Sequence, residues 1–138
     1  MWKNTYAKTY KNISKHKIWE LWTDVNNWNK FDSDIEYCKM TGDFEVGNHF
    51  TLKPKGATEV KIDIIQVDDL KSFTDCTKFF GAKMYGNHTI EEVEGGIKLT
   101  VTMSVKGLLS LVWVKLVAKK IAANSQDQLD RIARLAEV

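Results

Sequence analysis

The last third of the sequence constrains the fold most, because it predicts one long amphipathic helix. After Gly107 the apolar residues recur with a helical period to the end of the chain, which predicts about 28 residues of helix, roughly 42 Å long. A stripe of that length needs a large apolar surface to cover it. At 100° per residue the residues that share this face are Leu111, Val114, Val117, Ala118, Ile121, Leu129, Ile132, Leu135 and Ala136.

The middle of the sequence predicts that covering surface as a set of short strands. From residue 35 to residue 106, turn-forming residues separate apolar stretches, and the gaps accommodate six strands. Apolar and polar residues alternate most clearly around Val60, Ile62 and Ile64, which predicts one apolar and one wet face.

Residues 2–11 predict one further strand, since they alternate loosely and are rich in Thr and Tyr. Ser14 is a candidate N-cap for a short helix that ends near Asp24, and a second helical turn carries Trp28 and Phe31. The economical arrangement is an α+β fold in one domain, residues 1–138. It comprises a curved seven-stranded antiparallel sheet, two short helices after the first strand, and a long C-terminal helix that the sheet wraps.

Charge and composition exclude several classes of function. The formal net charge is only +2, and all basic residues except Arg131 and Arg134 are lysine, which argues against a nucleic-acid partner. The sequence contains no run of about 20 apolar residues and no secretory signal, so we expect no transmembrane segment and a cytoplasmic protein. Cys38 and Cys76 are then expected to be buried thiols. His16 and His49 are expected at the surface, and the scattered His and Cys predict no metal site and no cofactor.

The order of elements and the first aromatic motif resemble a known superfamily. Ile13-Ser14 precedes Ile18-Trp19, and the run Asp24–Phe31 follows, as in the START-like, helix-grip (SRPBCC) superfamily. The chain departs from that pattern at Lys15-His16-Lys17, where relatives commonly carry Ala-Pro and an acidic residue. The resemblance extends over the whole chain.

The glycines Gly42, Gly47, Gly95-Gly96 and Gly107 resemble those of the polyketide cyclase/dehydrase and lipid-transport branch of that superfamily. This resemblance implies a cavity between the sheet and the long helix. Relatives use such a cavity for lipids, sterols, polyketides or other apolar small molecules, and only some of them are catalysts.

Strand parity makes His88 a candidate to point into the predicted cavity, and it raises the same question for Asp75, which shares its parity with Phe73 and Thr77. His88 shares its parity with Met84, Gly86 and Ile90, so its imidazole is a candidate to orient a ligand or to act as an acid or base. The alternative is a core histidine hydrogen-bonded to the backbone. Asp75 would mark function if it pointed inward, because an unpaired buried carboxylate costs several kcal/mol.

Polar residues also interrupt the apolar stripe of the C-terminal helix at Asn124, Ser125 and Gln128. They predict a polar anchor inside the cavity, a kink, or a turn beyond the sheet. The complete predicted ligand-binding set is His88, Met84, Phe50, Phe73, Met103, Ile62, Tyr37, Ile121 and Ser125.

Two functions fit these features. The first is binding or transport of a small hydrophobic ligand, lipid-like or polyketide-like. The alternative is a polyketide cyclase or dehydratase type of enzyme that uses the same cavity with His88 as acid or base. A third feature stays open: Leu108, Val112 and Leu116 lie on the far side of the helix, where a loop, a second subunit in a homodimer, a membrane or the ligand entrance would cover them.

Overall fold

Seven antiparallel strands form one sheet in the order β1-β7-β6-β5-β4-β3-β2, which confirms the predicted architecture. The computed structural model describes residues 1–138. The strands are β1 (Trp2–Tyr10), β2 (Ile35–Lys39), β3 (His49–Pro54), β4 (Val60–Asp68), β5 (Ser72–Phe79), β6 (Ala82–Val93) and β7 (Gly96–Lys106).

Alternation of burial along the strands gives the sheet one covered face. In β7 the buried residues are Leu99, Val101, Met103 and Val105, with half-buried residues between them. In β1 the even-numbered residues are half-buried and the odd-numbered residues are exposed, which resolves the parity that the sequence left ambiguous. The covered faces of both strands turn toward the helices, as a period of two requires.

Two short helices follow β1. The first helix, Lys15–Thr23, is capped by Ser14, whose hydroxyl accepts a hydrogen bond from the backbone N–H of Lys17 at 3.3 Å. It buries Ile18 and Trp22, and a 3₁₀ helix, Val25–Lys30, follows it directly. Both helices lie where the sequence predicts them.

The C-terminal helix runs from Ser110 to Leu135, but it is not the single regular helix that the sequence predicts. An α-helical start, Ser110–Trp113, is followed by a π-helical stretch, Val114–Ala118, and a further α-helical segment, Lys119–Ala123. The helix breaks at Asn124 and resumes as Ser125–Leu135. No helix of this protein is long and apolar enough to cross a membrane.

The π-helical stretch and the break shift the buried face of the helix. A wide turn holds more residues than an α-helical turn, so a projection at 100° per residue loses its phase beyond it. Ile121 and Leu135, which lie beyond the wide turn and which the projection assigns to the buried stripe, are 44% and 56% exposed. Leu111, also assigned to the stripe, precedes the wide turn and is 79% exposed, at the very start of the helix. Ala118 and Leu129 are buried as predicted, at 0% and 1% exposed.

The C-terminal end of the chain meets the segment that joins β1 to the first helix. The backbone N–H of Ser14 donates to the carbonyl of Ala136 at 2.9 Å, and the N–H of Val138 donates to the carbonyl of Asn12 at 2.8 Å. The main hydrophobic core forms there, between the first helix, the middle of the sheet and the end of the C-terminal helix. Its buried members are Ile13, Ile18, Trp22, Phe73, Ile90, Leu99, Val101, Leu129, Ile132, Ala133 and Ala136.

Candidate ligand cavity

A cavity of about 220 Å³ lies between the sheet and the C-terminal helix, beside the helix break. The break at Asn124 interrupts the covering of the sheet at the point where the second half of the helix begins. The 3₁₀ helix and the loop after it close a third side through Trp28, Phe31 and Asp32. The cavity therefore occupies the place that the sequence-based resemblance implied.

Six adjacent strands of the sheet line the cavity: β4 to β7 contribute its floor from alternate residues, and β2 and β3 add Ile35, Leu52 and Pro54. Gly86 of β6 pairs with Asp75 of β5 on one side and with Met103 of β7 on the other, so these residues form one continuous row. The floor residues are Ile62, Asp75, Thr77, Met84, Gly86, His88, Val101 and Met103.

The helix supplies the opposite wall and a polar rim. Ser125 is 4% exposed and lines the cavity, so the polar residue in the stripe does point inward. Two neighbouring helix residues bind the loop across the cavity: the Asn124 amide donates to Asp34 at 3.2 Å, and the Gln128 amide donates to Asp32 at 3.1 Å. The break is thus both a kink and a set of polar contacts at the rim.

Asp75 points into the cavity, and Gly86 makes room for it. A Cβ at position 86 would lie 2.8 Å from Oδ1 of Asp75, so the carboxyl lies across a backbone that carries no side chain. Burial raises the pKa of Asp75 to about 7, and a smaller opposing effect comes from the backbone N–H of Gly86. Asp75 is only half-buried, but the part of its side chain that stays accessible faces the cavity. Burial therefore has the larger effect on its pKa. Asp75 therefore changes its charge near neutral pH.

His88 is held by aromatic rings rather than by hydrogen bonds. Its imidazole stacks on Phe73 with ring centroids 4.3 Å apart and meets the edge of Trp22 at 5.2 Å. Nδ1 is buried and has no hydrogen-bond partner, so the interpretation as a backbone-bonded core histidine is wrong. Burial lowers the pKa of His88 to about 4, which leaves the ring neutral at pH 7.

Acidic groups dominate the electrostatics of the cavity. The lining contains Asp32, Asp34, Asp75 and His88 but neither lysine nor arginine, although the chain has 20 basic residues. Asp75 and His88 lie diagonally across the β5–β6 pair, since Asp75 is opposite Gly86. Diagonal neighbours are about 7–8 Å apart, so one small molecule can reach both groups.

Six of the nine predicted ligand-binding residues line the cavity: His88, Met84, Met103, Ile62, Ile121 and Ser125. Strand parity placed the first four on the covered face. Ile121 lies at the rim, which explains why it is both 44% exposed and part of the lining.

The other three predicted residues lie outside the lining. Phe50 and Phe73 are on the covered face but fully buried, Phe50 packed edge-on against Trp28 and Phe73 against Trp22. Tyr37 lies elsewhere, because an irregularity in the β2–β3 register between residues 35 and 37 breaks simple alternation. Its hydroxyl instead donates to Glu59.

Several lining residues carry little signal in their sequence context. Asp32 and Asp34 lie in a loop, where no periodicity assigns a direction. Trp28 packs edge-on against Phe50 in the core and also lines the cavity, and its helical period does not separate these two positions. Gly86 carried a weak signal, since an isolated glycine within a strand marks a close approach. No cluster of His, Cys, Asp and Glu side chains is arranged to hold a metal ion.

The open antiparallel sheet, the helix laid across it and the cavity between them define a helix-grip protein of the START-like (SRPBCC) class. The sequence matches the family "Polyketide cyclase / dehydrase and lipid transport" over residues 1–137, and the chain belongs to that family. Membership supports hydrophobic ligand binding in general. No curated protein is significantly similar to this chain in sequence.

Solved structures share the fold at low sequence identity. The hypothetical protein jhp0584 from Helicobacter pylori has a TM-score of 0.77 and 13% identity, covering 98% of this chain and 88% of that one. The di-domain ARO/CYC StfQ of the steffimycin biosynthetic pathway has a TM-score of 0.75 and 11% identity, over 97% of this chain and 50% of that one. Ara h 8.0201 has a TM-score of 0.74 and 15% identity, over 98% of each chain.

Proposed function

We propose that this protein binds or transports a small hydrophobic ligand, lipid-like or polyketide-like, in the cavity between the sheet and the C-terminal helix. The observation that carries the proposal is the cavity itself, a space of about 220 Å³ in which 11 of the 21 lining residues are hydrophobic and eight carry polar side chains. That composition is typical of small-molecule sites. The family to which the chain belongs supports the same class of function.

The dimensions of the cavity favour a compact ligand over a sterol. Its volume of about 220 Å³ lies below the roughly 300–1,000 Å³ of most ligand pockets. Burying 100 Å² of apolar ligand surface contributes about 2.5 kcal/mol before ordering costs, so micromolar affinity, about 8.2 kcal/mol, requires more than about 330 Å² of buried ligand surface.

The polar groups of the floor predict how the ligand is oriented. His88 lines the floor with a neutral imidazole that makes no side-chain hydrogen bond in the protein, so the part of the ring that faces the cavity is free to bond to a ligand polar group. Asp75 offers a carboxyl with no side-chain partner beside it. We therefore expect the ligand to carry at least one hydrogen-bonding group at the end that lies on the sheet.

Thermal unfolding with 1-octanol and 1-naphthol as probes tests this proposal. At one hundred times its dissociation constant a native-state ligand adds about 2.7 kcal/mol, which raises the Tm by roughly 10 °C in a chain of this size. Ile121→Trp, at the rim, is expected to abolish most of that shift. Leu135→Trp is the matched control, since Leu135 is also an exposed aliphatic residue of the C-terminal helix but lies outside the lining.

An unchanged Tm with both probes would contradict the proposal. So would equal shifts in the two tryptophan variants, because the probes would then be bound elsewhere.

A second candidate function is proton transfer to a ligand held in the cavity. One observation favours it: the pKa of Asp75, raised to about 7 by burial, suits a general base or acid at neutral pH. The pKa of His88, lowered to about 4, suits a neutral hydrogen-bonding role better than the acid or base role expected from the sequence. Asp75 is thus the better candidate for the proton-transfer group.

Exchange of the α-hydrogens of 2-tetralone in D₂O, followed by NMR, tests this second function. The Asp75 carboxylate would take the α-proton, the enolate would form, and a deuteron would return to carbon. We expect the exchange rate to rise with pH through about 7 and to fall at least tenfold in Asp75→Asn. A rate equal to that of buffer alone, with the ketone bound, would reject catalysis and leave the binding function standing.

A cytoplasmic location stays part of the proposal. Cys38 and Cys76 are both buried free thiols, and burial raises the pKa of Cys38 to about 12. Two unpaired, unreactive cysteines are typical of a reducing compartment.

A further inference from the structure

A second feature of the surface lies outside the cavity, where the C-terminal helix begins. Five large apolar side chains are exposed there, on the turn between β5 and β6 and on the first half of the helix. They are Phe80 (84% exposed), Leu108 (100%), Leu111 (79%), Val112 (48%) and Leu116 (65%). We call these five residues the apolar ridge.

The ridge is fixed to the sheet. Trp113 stacks on Phe79 at 4.4 Å and donates from Nε1 to the carbonyl of Phe80 at 2.7 Å. The N–H of Leu109 donates to the carbonyl of Gly81 at 2.9 Å. The turn and the helix are therefore held together while their large apolar side chains point away from the core.

This close approach depends on a glycine. Gly107 has φ +123°, and a Cβ there would lie 2.5 Å from the carbonyl oxygen of Gly81. The start of the helix is therefore held directly against the turn between β5 and β6.

Lysines lie at the same end of the sheet as the ridge, and acidic residues are absent from the segments that form it. Lys78, Lys83 and Lys106 lie side by side across β5, β6 and β7 on the face of the sheet opposite the helix, where they line one shallow cleft beside the turn. Residues 76–84 and 105–123 together contain six lysines and neither aspartate nor glutamate. The one acid close to the cleft lysines is Asp63, whose carboxylate is 4.0 Å from Nζ of Lys78.

We propose that the apolar ridge and its lysines dock this protein onto the surface of an anionic phospholipid bilayer. Apolar side chains that project from a lysine-rich rim match such a surface on both counts: they enter the acyl boundary while the ammonium groups contact phosphate headgroups. The ridge would touch the bilayer without crossing it.

The same charges disfavour a second copy of this chain as the occupant. In a two-fold dimer the same patch meets itself, so the lysine cleft of one copy would face the lysines of the other without an intervening acid. An anionic bilayer surface would bury the apolar residues and also pair with the lysines, whereas self-association would only bury the apolar residues.

Vesicle flotation tests the proposal, with phosphatidylcholine vesicles that contain either 30% phosphatidylglycerol or none. We expect binding to the anionic vesicles and little to the neutral ones. Each lysine near an anionic leaflet raises the partition coefficient roughly fivefold. The triple variant Lys78→Gln/Lys83→Gln/Lys106→Gln, called the cleft variant, should therefore bind the anionic vesicles about a hundredfold more weakly. Leu108→Ser/Leu111→Ser should lose at least tenfold because it removes the inserting side chains.

A matched control separates local from overall charge. Lys30→Gln/Lys55→Gln/Lys71→Gln changes the net charge by the same amount at exposed positions away from the ridge, and it should retain binding. Because every substituted residue is exposed, melting temperatures near that of the parent should accompany all three variants. If the cleft variant does not fold, the parent protein alone still tests the role of charge, because 0.5 M NaCl should release it from anionic vesicles.

Three results would overturn the proposal. One is binding that ignores both the leucine and the cleft-lysine substitutions. Another is binding to duplex DNA that depends on the lysines but not on the leucines. The third is a dimer, seen by sedimentation, that Leu116→Glu dissociates and the cleft variant strengthens. Each leaves the cavity function untouched, since none of the substituted residues lines the cavity.

Discussion

Asp75 and His88 respond to burial in opposite directions, so they affect stability with opposite signs. The pKa of Asp75 is raised from 3.8 to about 7, so the folded chain holds a proton that the unfolded chain releases. Its contribution to stability is complete below pH 3.8 and is lost as pH rises through about 7. The pKa of His88 is lowered from 6.5 to about 4, so its contribution is present above pH 6.5 and is lost as pH falls through about 4.

Single substitutions should expose these two opposing effects. Between about pH 4.5 and 6 they largely cancel in the parent protein. Asp75→Asn leaves only the histidine, so the free energy of unfolding should rise with pH across this window. His88→Gln leaves only the carboxyl, so the free energy should fall. One proton corresponds to at most about 1.4 kcal/mol per pH unit in each case, and urea unfolding at several pH values measures it.

Exposed residues of the same types serve as controls for these slopes. Asp43→Asn and His49→Gln remove a carboxyl and an imidazole outside the cavity, and both should follow the parent curve. Slopes of the same sign in Asp75→Asn and His88→Gln would contradict the assignment of both pKa shifts to burial.

At the scale of elements, β1 holds the last helical segment through one carboxylate. The Tyr10 hydroxyl donates to Asp130 at 2.6 Å, and the Lys8 ammonium donates to the same oxygen at 2.9 Å. These bonds hold the pKa of Asp130 below its usual value, and the bond from Tyr10 has the largest effect. They link β1 at the edge of the sheet to Ser125–Leu135, the segment that completes the cavity wall.

Tyr10→Phe should therefore loosen the helix more than it disturbs the core. Loss of a hydrogen bond to a charged group costs about 1–2 kcal/mol, and the ring itself remains packed. We expect a lower unfolding free energy in urea and faster amide exchange in Ser125–Leu135. Tyr6→Phe is the matched control, because Tyr6 is half-buried on the same face of β1 but its hydroxyl has no bonding partner in the helix. Equal losses in the two variants would refute the role of the bond.

The elements also show why some features were predictable and others were not. Strands and turns were predictable because alternation and glycine positions are local signals. The wide turn at Val114–Ala118 was not predictable, because a projection at a constant angle cannot register it, whereas the polar residues around Asn124 predicted a kink as one of three alternatives. The parity argument placed His88 and Met103 in the cavity, yet it also chose Phe73, since parity assigns a face and not a depth.

Across the whole molecule, the surface and the cavity differ in the sign of their charged residues. Lysines predominate on the outside, most strongly around the apolar ridge, whereas the cavity lining holds three aspartates and no basic residue. Charges in a confined site of low dielectric act more strongly than those on the surface. The surface and the cavity therefore prefer ligand groups of opposite sign.

This separation predicts selectivity among ligands that differ only in the headgroup. Octylamine, 1-octanol and octanoate have the same chain, and above pH 7 Asp75 is ionised. We expect calorimetry at pH 8 to rank them in that order, with at least tenfold between the amine and the acid, because the carboxylate of octanoate finds no basic partner. Asp75→Asn should narrow that ratio, whereas Asp43→Asn, which removes the same charge outside the cavity, should not. If octanoate binds most tightly and Ile121→Trp still blocks it, the acidic cavity does not select the ligand, and a fatty acid becomes the better candidate.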